Sequence, residues 1–191
     1  MKGAVGIACV LICAAALAAQ SAPQTISGKD ADGFKEFSEH VAKYLKLQRT
    51  VEASVPALEL TDRPEVIATR QQLLASKIKQ ARSDAKVGDI FSSDVKDAFR
   101  RVSAAAIGGP QSAGSRAYME SDAADPAMLL VVNGTYPDAA PVTSFSPVLL
   151  AVFPVLPEGL AYRAVGRALI LVDVKSHLIV DIARLVLPPP S

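Results

Sequence analysis

Residues 160–182, L-A-Y-R-A-V-G-R-A-L-I-L-V-D-V-K-S-H-L-I-V-D-I, carry the densest apolar content downstream of the N-terminus and decide the fold. Runs of β-branched and apolar residues separated by turn-forming residues are typical of strands, so this stretch predicts two or three short ones. The first turn is expected at Gly166-Arg167, because glycine adopts the positive φ that a two-residue hairpin requires. A second turn over residues 173–176 leads into a strand at residues 177–182.

The hairpin register sorts the side chains of this stretch into two faces. The apolar face is expected to lie on the core and contains Leu160, Tyr162, Ala164, Leu169 and Leu171. The mixed face, with Arg163 directed outward, contains Ala161, Arg163, Val165, Ala168, Ile170 and Val172. In the last strand, Leu178, Val180 and Ile182 are expected to alternate with His177, Ile179 and Asp181. Because a two-stranded ribbon is marginal in water, other parts of the chain must cover it.

Helical periodicity predicts three helices within residues 30–109. The first begins at Asp30 and is ended by Pro56. The third is capped by Ser92 or Ser93 and stops at the Gly-Gly-Pro sequence that follows it.

The second helix has the features of a capped N-terminus, with Asp62 in the cap position, Pro64 in the first turn and Glu65 completing a capping box. Its expected apolar stripe consists of Val66, Ile67, Leu73, Leu74, Ile78 and Ala81. A basic cluster follows, formed by Lys77, Lys79, Arg82 and Lys86. Charge runs on helices are mostly solvated, so this cluster is interpreted as an exposed face and not as a ligand site.

The pattern as a whole predicts an α+β fold, in which about three N-terminal helices pack with a small C-terminal antiparallel sheet of three to four strands. Residues 128–132 are a continuous apolar run and are expected to add a buried strand to this sheet. Pro147 is expected to open a short helix. The predicted domain is single and spans residues 30–187, with a helical part at 30–109 and a strand-rich part at 126–187.

Residues 1–19 have the three regions of a secretory signal peptide: the positive charge of Lys2, an apolar run of about 16 residues, and small residues at its end. Cleavage is expected after Ala18 or Ala19, and the alternative is an uncleaved N-terminal anchor. Residues 20–29 would then form a flexible lead-in. The protein is therefore expected to be periplasmic or secreted, with no membrane span after cleavage.

The cysteines and the charge balance limit the possible partners. Both cysteines, Cys9 and Cys13, lie in the predicted signal peptide, so the mature chain would reach an oxidising compartment without a disulfide. Without Lys2, nineteen basic residues balance nineteen acidic ones. This neutral balance argues against nucleic acid or a generic anionic surface as partner.

Five pieces of the chain carry a resemblance to known proteins: Y-R-x-V-G-R-x-L-I-L-x-D at residues 162–173, L-I-V-D at 178–181, G-D-I-F at 88–91, V-V-N to Y-P at 131–137, and P-x-L-L at 147–150. Together they resemble an uncharacterised family of exported bacterial proteins that share this C-terminal hairpin. The resemblance implies export and this fold, and it implies no activity. The hairpin alone is also similar to the small β-modules of periplasmic nickel/cobalt-homeostasis proteins, which would imply a metal-related role.

Candidate chemistry is confined to Asp173, His177 and Asp181, which could form a metal site or pair a histidine with a carboxylate. On an extended strand, a four-residue gap spans about 13 Å, so His177 would reach Asp173 across the turn and not Asp181 along the strand. The structural interpretation makes Asp173 a turn residue and Asp181 an exposed strand position.

His40 is expected to be exposed on the first helix. The chain has no G-x-S-x-G elbow and no Gly-rich phosphate loop before a helix, so no cofactor is predicted.

These observations favour an exported, non-catalytic binding or scaffold/accessory protein of the cell envelope, whose partner is another envelope or extracellular protein. Two alternatives stay open. One is a periplasmic metal-homeostasis protein, and the other is a hydrolase that uses His177 with a carboxylate.

Overall fold

Four helices and one three-stranded antiparallel sheet make up the part of the chain that the computed structural model describes, which is residues 26–108, 130–137 and 146–188. The fold is therefore α+β, as the sequence predicts. The expected signal peptide, residues 1–19, lies outside the described residues. None of the described helices combines the length and the apolar character needed to cross a bilayer.

The helices are α1 (Gly28–Glu52), α2 (Pro64–Ala81), α3 (Ser93–Ile107) and α4 (Pro147–Val152). α1 begins two residues earlier than predicted, because the Ser27 hydroxyl accepts a hydrogen bond from the Asp30 N–H and caps the helix there. Gly28 and Lys29 are thus helical and do not belong to the expected lead-in. α3 starts where predicted, with Ser92 as its N-cap accepting from the Val95 N–H.

The predicted cap of α2 is wrong. The N-cap is Arg63, which makes no side-chain capping hydrogen bond, and Pro64 occupies the first helical turn. Proline is preferred at the first helical position, and that preference places the cap one residue after Asp62. Glu65 consequently forms an exposed ion pair with Arg63 (Oε1 to Nε, 3.2 Å) in place of a capping box.

The sheet consists of β1 (Leu160–Val165), β2 (Ala168–Asp173) and β3 (Leu178–Ala183), in the order β1-β2-β3. The hairpin register is the predicted one, with Val165 opposite Ala168 and Leu160 opposite Asp173. Gly166 has a φ of +53°, which confirms the conformation expected at the first position of the turn.

A β-bulge in β3 overturns the alternation predicted for that strand. Leu171 pairs with Asp181 but Val172 pairs with Ile179, so Val180 is an extra residue in β3. As a result Asp181 shares a face with Leu171. Ile182 pairs with Ile170 and lies on the opposite face from the one expected.

The strand expected at residues 128–132 is not formed where the structure describes it. Leu130 and Val131 have no strand structure, and the chain turns at Val132 and Asn133, where Asn133 takes a φ of +62°. Residues 128 and 129 lie outside the described ranges. After the turn, Thr135 makes an isolated antiparallel bridge with Leu178, so only this short segment runs beside β3.

Both faces of the sheet are covered, so the face predicted to be mixed is a second core. On the helical side, six aromatic rings lie with centroids 4.7–6.2 Å from a neighbour: Phe34, Phe37, Phe91, Phe99, Phe153 and Tyr162. On the other side the buried residues are Leu130, Tyr136, Val165, Ala168, Ile170, Val172, Ile179 and Ile182. The segment around the Asn133 turn therefore closes the face that was expected to meet solvent.

α1 and α3 approach each other closely at Gly33. A Cβ added there would lie 2.8 Å from the Ala98 Cβ and 3.3 Å from the Asp94 carbonyl oxygen. We expect Gly33→Ala to lower the free energy of unfolding by about 1–3 kcal/mol, because the helices would have to separate. The measurement is urea unfolding followed by circular dichroism.

Gly28→Ala is the matched control, because nothing lies within 4 Å of an added Cβ at that position in the same helix. Alanine has the better helix propensity, so this variant should be unchanged or slightly more stable. Equal stability of the two variants would contradict the close approach.

Candidate functional site

Asp181 is fully buried between β3 and the loop that joins α2 to α3, although the sequence predicts an exposed strand position for it. Its Oδ2 accepts hydrogen bonds from the N–H groups of Ile90 and Phe91, both at 2.7 Å. Its Oδ1 accepts from the N–H groups of Gly88 at 2.9 Å and Ile182 at 2.7 Å. Four main-chain donors thus fix the Asp181 carboxylate in place.

The bulge and the loop together produce this contact. The bulge turns Asp181 toward the helices, and Gly88 adopts a φ of +99° that presents the loop N–H groups to the carboxylate. His40 contacts the same loop, since its Nδ1 lies 3.1 Å from the Ile90 carbonyl oxygen. His40 is therefore half-buried and is not the exposed helix residue that was expected.

Asp173 is also fully buried, at the end of β2. The Tyr44 hydroxyl donates to its Oδ2 at 2.6 Å, and the N–H groups of Lys175 and Ser176 donate to its Oδ1 at 2.9 and 3.1 Å. Asp173 thus closes the β2–β3 turn, as a turn residue should, and also anchors α1 to the sheet.

His177 lies in that turn and does not begin the strand, because it has a φ of +53° and β3 starts at Leu178. Its carbonyl oxygen accepts from the Tyr136 N–H at 2.7 Å. Asp173 and Asp181 each bind a different part of the helical region. Among the described residues, no three His, Cys, Asp or Glu side chains lie close enough together to hold a metal ion.

Arg82 is buried, so its expected place on a solvated basic face is wrong. Its Nη2 donates to the Val180 carbonyl oxygen at 3.1 Å, and its guanidinium lies 5.2 Å from the centroid of the Tyr44 ring. The Asn133 side chain donates in turn to the Arg82 carbonyl oxygen at 2.9 Å. Arg82 directly follows the last residue of α2 and lies four residues after the buried Ile78, and this spacing is the only sequence feature that could have indicated its burial.

Burial and neighbouring charges shift the pKa values of two tyrosines and two carboxylates. Burial raises the pKa of Tyr44 far above its usual value, and the Asp173 carboxylate raises it further. Burial likewise raises the pKa of Tyr162. For two carboxylates nearer the surface, hydrogen bonds lower the pKa. The pKa of Glu52 is lowered, chiefly by the hydrogen bond from Lys175, and the pKa of Asp30 is lowered because bonds from Ser27 and Arg101 outweigh its burial.

A cleft with both apolar and charged lining residues lies between the α1–α2 connector and the first half of α2, and the connector shows no sequence feature that predicts it. α2 buries only Leu74, Ala75 and Ile78, all in its second half, so the first part of the expected stripe is uncovered. The cleft has a volume of about 730 Å³. Its large exposed apolar residues are Leu58, Leu60 and Leu73, and Leu60 is fully exposed.

Comparisons with protein-family models, with curated proteins and with solved structures gave no match to this chain. The resemblance to exported bacterial proteins therefore stays a prediction from the residues that carry it.

The raised pKa values of Tyr44 and Tyr162 predict a stability that falls in alkali. An unfolded tyrosine ionises near pH 10, whereas these two stay neutral in the folded chain. Their contribution is therefore complete below about pH 10 and is lost as the pH rises further, by up to about 1.4 kcal/mol per pH unit for each tyrosine.

A titration that records absorbance at 295 nm together with circular dichroism tests this expectation. Tyr44 and Tyr162 should ionise only as the helical signal disappears, and Tyr136, whose pKa burial also raises, should ionise later than a free tyrosine. Tyr162→Phe, which loses a hydroxyl bonded to the Pro154 carbonyl oxygen, should remove one tyrosine from this late-ionising group. If all four tyrosines ionised near pH 10 in a chain that stayed folded, the burial of Tyr44 and Tyr162 would be refuted.

Proposed function

We propose that this protein is an exported, non-catalytic binding protein of the cell envelope, which binds a segment of another envelope or extracellular protein in the cleft beside the α1–α2 connector. The N-terminal sequence pattern supports the exported location. The cleft supports the binding role.

The observation that carries this proposal is the exposure of Leu58, Leu60 and Leu73 around one concavity. Exposed apolar side chains scattered singly need no explanation, but a group of them lining a cleft is typical of an interaction site. The volume of about 730 Å³ also falls in the size range of ligand-binding clefts.

The buried polar groups support binding over catalysis. A hydrolase that used His177 with a carboxylate would need Asp173 or Asp181 to orient the imidazole. Asp173 accepts from Tyr44 and from two turn N–H groups, and Asp181 accepts from four main-chain N–H groups. Both carboxylates thus contribute to the fold itself, where main-chain donors hold them.

The charges around the cleft indicate the chemistry of the occupant. Arg63 pairs with Glu65, and Arg70 pairs with Glu52. Glu59 in the lining and Asp62 beside it have no ion-pair partner within residues 26–108, 130–137 and 146–188. A segment with apolar side chains flanked by lysine or arginine would therefore complement the cleft in both hydrophobicity and charge.

Site-specific photocrosslinking tests the proposal. A photoreactive amino acid is placed at Leu60, or at Val155 as a matched control that is nearly as exposed but borders a different groove. Each protein is irradiated in an envelope extract. We expect an adduct of discrete mass from position 60 and none from position 155, with the crosslinked segment carrying basic and apolar residues.

Competition makes the result specific to the cleft. Unlabelled wild-type protein should suppress the adduct, whereas the Leu58→Ser/Leu60→Ser variant should need a concentration at least about tenfold higher. A leucine side chain contributes about 1.5–3 kcal/mol when it is fully buried, which corresponds to that factor or more. Equal crosslinking at positions 60 and 155, or equal competition by the two proteins, would refute the proposed binding site.

A further inference from the structure

The α1–α2 connector, residues 56–63, lies on the surface and is not held there by main-chain hydrogen bonds. Within the described chain, no main-chain N–H or carbonyl group of residues 57–62 makes a hydrogen bond. The connector is bonded at its first residue, where the Pro56 carbonyl oxygen accepts from Arg70 Nε at 3.0 Å. Leu60, near its middle, is fully exposed. Drawing residues 57–62 away from the surface therefore breaks no main-chain hydrogen bond.

Such a segment has the properties of an endoprotease substrate. A peptide bound as an extended strand is held by main-chain hydrogen bonds, while its alternate side chains enter pockets. Leu58 and Leu60 lie two residues apart, so in an extended strand both project to the same side. Exposed loops of this kind are preferred sites of proteolytic nicking.

Two other described connections are bonded to the core. In the α2–α3 loop, the N–H groups of residues 88, 90 and 91 donate to the Asp181 carboxylate. In the β2–β3 turn, the N–H groups of Lys175 and Ser176 donate to Asp173. A protease would have to break these bonds before it could extend either segment.

Exposure alone does not distinguish the connector, because Val155 is 94% exposed in the segment that joins α4 to β1. Val155 lies between Pro154 and Pro157. Proline has no main-chain N–H, so these two residues remove donors that a bound strand would supply. Val155 is therefore a control for exposure without the main-chain groups that a protease binds.

We propose that the connector is a processing site, at which an endoprotease that prefers a large apolar residue hydrolyses the peptide bond between Leu60 and Thr61. Water adds its hydroxyl group to the Leu60 carbonyl carbon and its hydrogen to the Thr61 nitrogen as the C–N bond breaks. The products are a carboxylate at Leu60 and an amino terminus at Thr61. Leu60 is favoured over Leu58 because its side chain is fully exposed, whereas that of Leu58 is partly covered.

The fragment that ends at Leu60 would stay bound, because α1 contacts the rest of the chain through buried groups. The Phe37 ring centroid lies 5.1 Å from that of Phe99 in α3. The Tyr44 hydroxyl donates to Asp173 at the end of β2. Cleavage would thus open the connector and leave the fold assembled.

Limited proteolysis of the purified, folded protein with chymotrypsin tests the proposal, and it does not depend on what occupies the cleft. Chymotrypsin has a hydrophobic specificity pocket, and every phenylalanine and tyrosine of the described ranges is buried. We expect the first cut within residues 26–108, 130–137 and 146–188 to follow Leu60, as identified by the masses of both fragments, and none beside Val155. A first cut elsewhere in these ranges would overturn the proposal.

Leu60→Ser should slow cleavage of this bond at least about tenfold, because even one methylene in a hydrophobic specificity pocket changes kcat/KM by about that factor. The matched control is Leu150→Ser, which alters an exposed leucine of α4 and should leave the rate unchanged. Equal rates of cleavage in the two variants would contradict the role of Leu60.

Urea separates cleavage of the folded chain from cleavage after global unfolding. The concentration is chosen from the unfolding transition to raise the unfolded fraction about tenfold, and a short peptide substrate corrects for the effect of urea on the protease. Cleavage that required unfolding would accelerate by the same factor of about ten. We expect a change of less than about twofold, with both fragments eluting together in size-exclusion chromatography. A tenfold acceleration, or separation of the fragments, would refute the proposed processing site.

Discussion

The buried carboxylate of Asp181 is the contact on which the arrangement of the helices over the sheet depends. It belongs to β3, yet three of the four N–H groups that bind it come from the α2–α3 loop, at residues 88, 90 and 91. A buried charge is tolerated only where fixed dipoles replace its hydration, so the loop and the strand must be correctly placed together. This requirement links the helical and strand-rich parts of the chain into one unit.

The β-bulge makes that link possible and also explains the burial of Arg82. An extra residue, Val180, turns Asp181 toward the helices, and its carbonyl oxygen accepts from the Arg82 guanidinium. Tyr44 completes the junction through its ring contact with Arg82 and its hydrogen bond to Asp173. The polar residues of the helix–sheet junction thus hold the fold together, and the exposed apolar surface lies away from them, beside the α1–α2 connector. This division between a polar junction and a cleft with exposed leucines is the physical argument for the proposed binding role.

The sequence predicts the parts of this fold that depend on local preference. The hairpin register follows from Gly166, because the positive φ of this residue sets the turn. The start of α3 follows from Ser92, because its side-chain oxygen caps the helix. The bulge at Val180 cannot be recognised in the sequence of an apolar strand. An inserted residue moves the later side chains to the opposite face of the sheet, but apolar residues are compatible with either face. Arginine is usually exposed at the surface, and the burial of Arg82 is explained only by the groups that it contacts in the folded chain. The cleft around Leu60 was missed because periodicity identifies an apolar stripe but does not show whether anything covers it.

Unfolding of the Asp181→Asn variant by urea, compared with Asp84→Asn, tests the central role of the carboxylate most directly. The asparagine has nearly the same shape, but its NH₂ group would face main-chain N–H groups that need an acceptor. Hydrogen bonds to charged groups contribute about 1.5–3 kcal/mol each, so the free energy of unfolding should fall by about 3 kcal/mol or more. Asp84 is exposed near the end of α2, and its substitution should change the free energy of unfolding by less than about 0.5 kcal/mol. If Asp181→Asn were as stable as Asp84→Asn, the carboxylate would not be what joins the helices to the sheet.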